Sequence, residues 1–123
     1  MQNSLKYLET AKEKIPFIYT LNVMEAIQEK YGSLQEWSDL IESKNRTEPD
    51  IKALIFFFTE AINEGIEIEN EENDVKREFV TPKKVGRIIT EIGIKDAGTK
   101  LKNMVIDSSK TSDENAEGEE VKN

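Results

Sequence analysis

Two groups of carboxylates have the spacing that chemistry would need. Glu25 and Glu29 stand four residues apart, on one face of a helix, where neighbouring acids can split their pKa values into an acid and a base. Glu67, Glu69, Glu71, Glu72 and Asp74 crowd the stretch "IEIENEENDVKRE" and could hold a hard cation through oxygen ligands. Neither group is completed by its surroundings. Nothing beside Glu25 and Glu29 offers a nucleophile or an oxyanion site, and Glu25 reads as half of a helix cap. The acidic run lacks the ligand order of an EF-hand loop, so its charge density reads as a solvated loop. The chain has no histidine and no cysteine, which removes imidazole bases, thiolates, the common zinc ligand sets and disulfides. The expectation is a protein that is not an enzyme and has no catalytic residue, metal or cofactor.

A third group is cationic. In "TPKKVGRIITEIG", Thr81 caps a helix that carries Lys83, Lys84 and Arg87 near its N-terminus, where phosphates could approach. With the following turn and helix this outlines a helix-turn-helix over residues 81–106, so a DNA-binding regulator is an alternative. The net charge of -8 argues against it, because phosphate contacts need a basic surface. That charge is partitioned. Residues 67–78 and 107–123 each hold six acids and two bases, whereas residues 82–103 hold six bases and two acids. The expectation is therefore no nucleic acid. It is also no membrane, since apolar runs such as "ALIFFF" fall far short of the roughly 20 residues that span a bilayer. The N-terminal stretch shows no apolar leader core, which makes the cytosol the expected location.

A chain of 123 residues leaves room for one core, and the expected fold is mainly α. About five helices follow a short N-terminal β-hairpin over residues 4–20, in which Ile15, Phe17 and Tyr19 alternate onto one face. A short first helix through "SLKYLETAKEK" is the alternative there. Pro16 belongs on a strand edge. In "NVMEAIQEKYGSLQEW", Asn22 with Glu25 and Ser33 with Glu36 form two capping boxes almost end to end, with Gly32 between them as a stop. The first helix then runs from Val23 to Tyr31 and the second from Leu34 to Glu42. A third, over residues 49–64, starts at Thr47 and Asp50 with Pro49 in its first turn, and Gly65 ends it. Its stripe is Ile51, Leu54, Ile55, Phe58 and Ile62; Phe56 falls nearly opposite and Phe57 to the side, so the helix is either central or presents a second face. A fourth helix runs from Pro82 to Gly93 with Val85, Ile88, Ile89 and Ile92 inward. A fifth, from Asp96 to Asp107, buries Ala97, Leu101, Met104 and Val105. Beyond residue 108 the composition is that of a disordered acidic tail, giving a domain over 1–108 and a tail over 109–123.

The order of these features resembles a known family. "PFIYTLNVMEAIQEKYGSLQEW", the Pro-initiated apolar helix "PDIKALIFFFTEAINEGIEI", the acidic insert and "FVTPKKVGRIITEIG" are similar to the small tail assembly chaperones of tailed bacteriophages and prophages of Gram-positive bacteria. The likeness covers about residues 14–106. The family's strand, Gly-ended helix and second capped helix look like Tyr19 to Trp37. Its "NEG" ending looks like Asn63, Glu64 and Gly65, and its helix start looks like Thr81, Val85, Gly86 and Ile89.

What this resemblance implies is a non-catalytic binder of the long tape measure protein, with the tail tube protein as a further partner. It would act in the host bacterial cytoplasm and be absent from the mature virion. Under the resemblance, the DNA-binding alternative becomes a prophage regulator, and a structural head-tail connector is a third reading. The residues expected at the partner surface, or at a self-association surface, are Trp37, Phe56 and Phe57.

Overall fold

The structure, a computed structural model, describes residues 5–42 and 48–107. It is mainly α. Strands β1 (Lys6–Glu9) and β2 (Lys14–Phe17) are followed by α1 (Leu21–Tyr31), α2 (Leu34–Glu42), α3 (Ile51–Asn73), α4 (Pro82–Ile92) and α5 (residues 94–107). The hairpin is thus formed, and the helical alternative for "SLKYLETAKEK" is not. Its register pairs Lys6 with Phe17 and Leu8 with Ile15. The Thr10 hydroxyl accepts from the amides of Lys12 and Glu13 and shapes the turn. Expected alternation gives way to continuous burial, since Ile15, Pro16, Phe17 and Ile18 are all buried. The strand lies directly against α3.

That contact explains Gly65, which does not end the third helix. A Cβ placed there would lie 2.9 Å from the Phe17 amide nitrogen and from the Pro16 carbonyl carbon. Backbone meets backbone at this crossing. One turn earlier, Ala61 is as small as an L-residue can be, and its carbonyl accepts from the Ile18 amide at 3.1 Å. The helix continues to Asn73 and stops at Asp74, whose φ of 55° is left-handed. Most of the acidic run expected as a loop is therefore the exposed last two turns of α3.

After Asp74 the chain returns along α3 without becoming a strand. Asn70 donates to the Arg77 carbonyl and accepts from the Arg77 amide, each at 3.0 Å. Asn63 does the same for Val80, at 3.0 and 2.7 Å. Seven helical residues advance about 10.5 Å, and three extended residues advance about 10 Å, so the two pairs share one register. Two side-chain amides thereby satisfy backbone groups that would otherwise be orphaned.

The other helix ends follow capping chemistry. Thr20, rather than Asn22, caps α1 by accepting from the Val23 amide. The reason lies across the fold. The Glu64 carboxylate accepts from both the Thr20 hydroxyl, at 2.8 Å, and the Asn22 amide, at 3.0 Å. Ser33 Oγ accepts from the Glu36 amide at 3.0 Å, as expected. Gly32, at φ 96°, closes α1 with its amide on the Gln28 carbonyl. Asp50 caps α3, which puts Pro49 just before the helix; Thr47 lies outside the described residues. Thr81 caps α4 with Pro82 first. Gly93 donates to Ile89 and accepts from Ala97, so a single residue ends α4 and begins α5.

The third helix is central. Ala53, Leu54, Phe57, Phe58, Ala61, Ile62 and Ile66 are all fully buried, against β2 and helices α1, α2 and α4. Ile51, assigned to the buried stripe, is 44% exposed at the first turn. Among the described residues no helix is long and apolar enough to cross a membrane.

Candidate partner-binding groove

Of the three aromatics expected at a partner surface, two belong to the core. Phe57 is fully buried, with Trp37 stacked on it at 5.4 Å, Tyr19 at 5.8 Å and Phe58 edge-on at 5.1 Å. Trp37 is 2% exposed, and its indole Nε1 donates to the Ala53 carbonyl at 3.3 Å. That bond satisfies the one polar atom of the ring and fixes its plane. Phe57 presents no area to a partner in this arrangement, and Trp37 very little. Phe56 differs. It is half-buried, edge-on to Tyr31 at 5.7 Å, with the Lys30 ammonium 5.4 Å from its ring centre. It therefore sits at the edge of the α1–α3 seam and is not opposite the core.

The apolar concavity lies between α2 and α5. A groove of about 320 Å³ is lined by Trp37 and Ile41 from one helix and by Leu101, Val105 and Ile106 from the other, with Ser38, Glu42 and Lys102 beside them. Trp37, stacked on Phe57, forms its backing. Residues 104–106 account for the opening. Met104 is buried, Val105 is half-buried and Ile106 is 57% exposed, since three consecutive apolar residues on a helix cannot all face one core. Sequence reasoning placed Leu101, Met104 and Val105 in the core and passed over Ile106. The run "MVI" carried the signal, through the same argument applied to "FFF" in α3.

A second concavity, of about 390 Å³, is polar. Arg77, Lys84 and Arg87 line it together with Glu13, Glu78 and the exposed Phe79. Glu13 accepts from Arg77 at 2.8 Å and lies 3.9 Å from Lys84. The cations expected on the fourth helix are thus on the surface, with acids in the same cleft.

The carboxylate groups do not converge. Glu25 and Glu29 are exposed on α1, and among the described residues no three acidic side chains are placed to hold a metal ion. Glu69 instead accepts from the Tyr7 hydroxyl at 3.2 Å and pairs with Arg77 at 3.5 Å. Three phenols among the described residues are shifted upward. Burial pushes Tyr19 and Tyr31 above the ordinary tyrosine range, with Asp50 adding to the effect at Tyr31. Tyr7 is raised by partial burial and then by Glu69. Comparison with protein-family models, curated proteins and solved structures gives no match.

Proposed function

We propose that this protein is a non-catalytic chaperone of phage tail assembly, which holds the tape measure protein, and tail tube subunits with it, in the host cytoplasm. The observation that carries the reading is the open apolar groove between α2 and α5, with Ile106 exposed at its lip. An amphipathic client helix gains affinity by laying its apolar stripe in such a groove. Glu42 and Lys102 at the rim, one from each wall, offer opposite charges to the client's polar flanks. The order of strand, caps and helix starts that resembles the tail assembly chaperones supplies the identity of the client. Under this reading the protein needs no cofactor and is absent from the finished virion. The test is coexpression with the tape measure protein of the same genome. Copurification of the two supports the reading, and a tape measure protein that elutes alone overturns it.

The DNA-binding reading draws on one observation, the exposed Lys83, Lys84 and Arg87 on α4 ahead of a one-residue turn into α5. Glu13 and Glu78 in the same cleft, with the overall charge of -8, weigh against it. An anisotropy titration with duplex DNA at physiological salt is expected to show no binding. The connector reading would require the protein to be present in purified virions.

A further inference from the structure

The cationic face of α4 has a better-matched occupant than nucleic acid. We propose that residues 108–123 of this chain dock on the face formed by Lys83, Lys84 and Arg87, in the same molecule, as an acidic cover. The inference stands independently of the partner reading.

Three observations converge on it. First, the charges complement each other. Residues 108–123 carry Asp113, Glu114, Glu117, Glu119 and Glu120 against two lysines, while residues 82–103 carry the opposite excess. Second, α4 carries cations with no acid in contact. Glu13 is shared between Arg77 and Lys84, and among the described residues Lys83 and Arg87 have no ion-pair partner within 4.0 Å. Lys83 and Lys84 also occupy the first turn of α4, where the helix dipole adds positive potential.

Third, the chain leaves the fold close by. Asp107, at the end of α5, lies 3.9 Å from the Lys6 ammonium. Lys6 is paired across the hairpin with Phe17, and Ile15, two residues along that strand, lines the cationic cleft. Two strand residues cover about 7 Å. A random coil of the same length as residues 108–123 would have a root-mean-square span of roughly 20–24 Å, enough to reach. Tethering at that range gives a local concentration in the millimolar range, so weak ion pairing suffices to populate the docked form.

The experiment uses the full chain. Because the protein has no cysteine, Ala116→Cys places one spin label in the middle of the acidic run. Paramagnetic broadening is then read on backbone amides. Docking predicts selective loss of intensity at residues 81–88, exceeding that at Leu101 and Ile106 near the root of the segment. It predicts recovery at high salt, as the Debye length falls from about 8 Å at 0.15 M to about 3 Å at 1 M. It also predicts recovery in Lys83→Glu/Arg87→Glu, both exposed positions. Broadening that simply decays with distance from Asp107, resists salt or centres on the α2–α5 groove overturns the proposal. So does broadening seen only when labelled chains are mixed with separate, unlabelled reporters, which would place the contact between molecules.

Discussion

At the scale of single residues, similar aromatics have unlike roles. Trp37 fills the space between α2 and α3 with its one polar atom bonded, so Trp37→Ala is expected to cost about 3–5 kcal/mol in a denaturant titration. Phe56 is half-buried, with one edge contact and one cation nearby, and Phe56→Ala should cost only about 1–2 kcal/mol. A loss for Phe56 as large as that for Trp37 would mean that the α1–α3 seam is core. Tyr31 carries a buried hydroxyl with no hydrogen-bond partner among the described residues, so Tyr31→Phe is expected to be neutral or slightly stabilising. The buried phenols also set an alkaline limit. For Tyr19 and Tyr31 the protonated, neutral form is favoured in the fold. Their contribution is therefore complete below the ordinary tyrosine value of about 10 and is lost as pH rises through the higher folded values. Melting temperature followed against pH should fall from about pH 10 upward; a rise there would contradict the sign.

At the scale of elements, α3 organises everything else, and it is where sequence and structure part most. Of its apolar stripe Leu54, Phe58 and Ile62 were legible from periodicity, while Ile51 is exposed and Phe57 is buried instead; the caps Asp50, Ser33 and Thr81 and the stops Gly32 and Gly93 were legible too. Gly65 misled because glycine followed by a charged run is the ordinary signature of a helix end. The reason for glycine here is the backbone of β2, a neighbour distant in sequence that no local pattern reveals. Gly65→Ala would gain about 1 kcal/mol in helix propensity but forces a Cβ against Pro16 and Phe17, at a net cost of roughly 1–3 kcal/mol. A stabilised variant would mean that the hairpin sits elsewhere. The asparagines were invisible for a related reason. Their partners are backbone groups of a return segment, and only the matched rise of helix and extended chain brings Asn63 to Val80 and Asn70 to Arg77. Asn63→Ala leaves the buried side of that segment without its partners and should cost about 1–3 kcal/mol, with faster amide exchange at Val80.

At the scale of the whole molecule, the chain packs Trp37 of α2 against Phe57 of α3 and leaves an apolar opening where α2 meets α5. The tight corner at Gly32 positions that opening. It turns α1 directly into α2, so that Trp37 faces α3 and Ile41 meets the last turns of α5. The partner surface was legible only in part. Trp37 was singled out and does back the groove, whereas Phe57 proves internal and Ile106 was missed. The difference is one of tertiary context, because a helical wheel shows that an apolar arc is too wide without showing which neighbour covers the surplus.

The central claim is that this groove holds the client, and Ile106 at its lip tests it most directly. Ile106 is 57% exposed, so Ile106→Asp should leave the denaturation midpoint unchanged within experimental error. In the coexpressed pair, the account predicts that the same change weakens retention of the tape measure protein by about 2 kcal/mol or more, roughly thirtyfold in affinity. Retention by Ile106→Asp equal to that of the wild type, with folding intact in both, would contradict it.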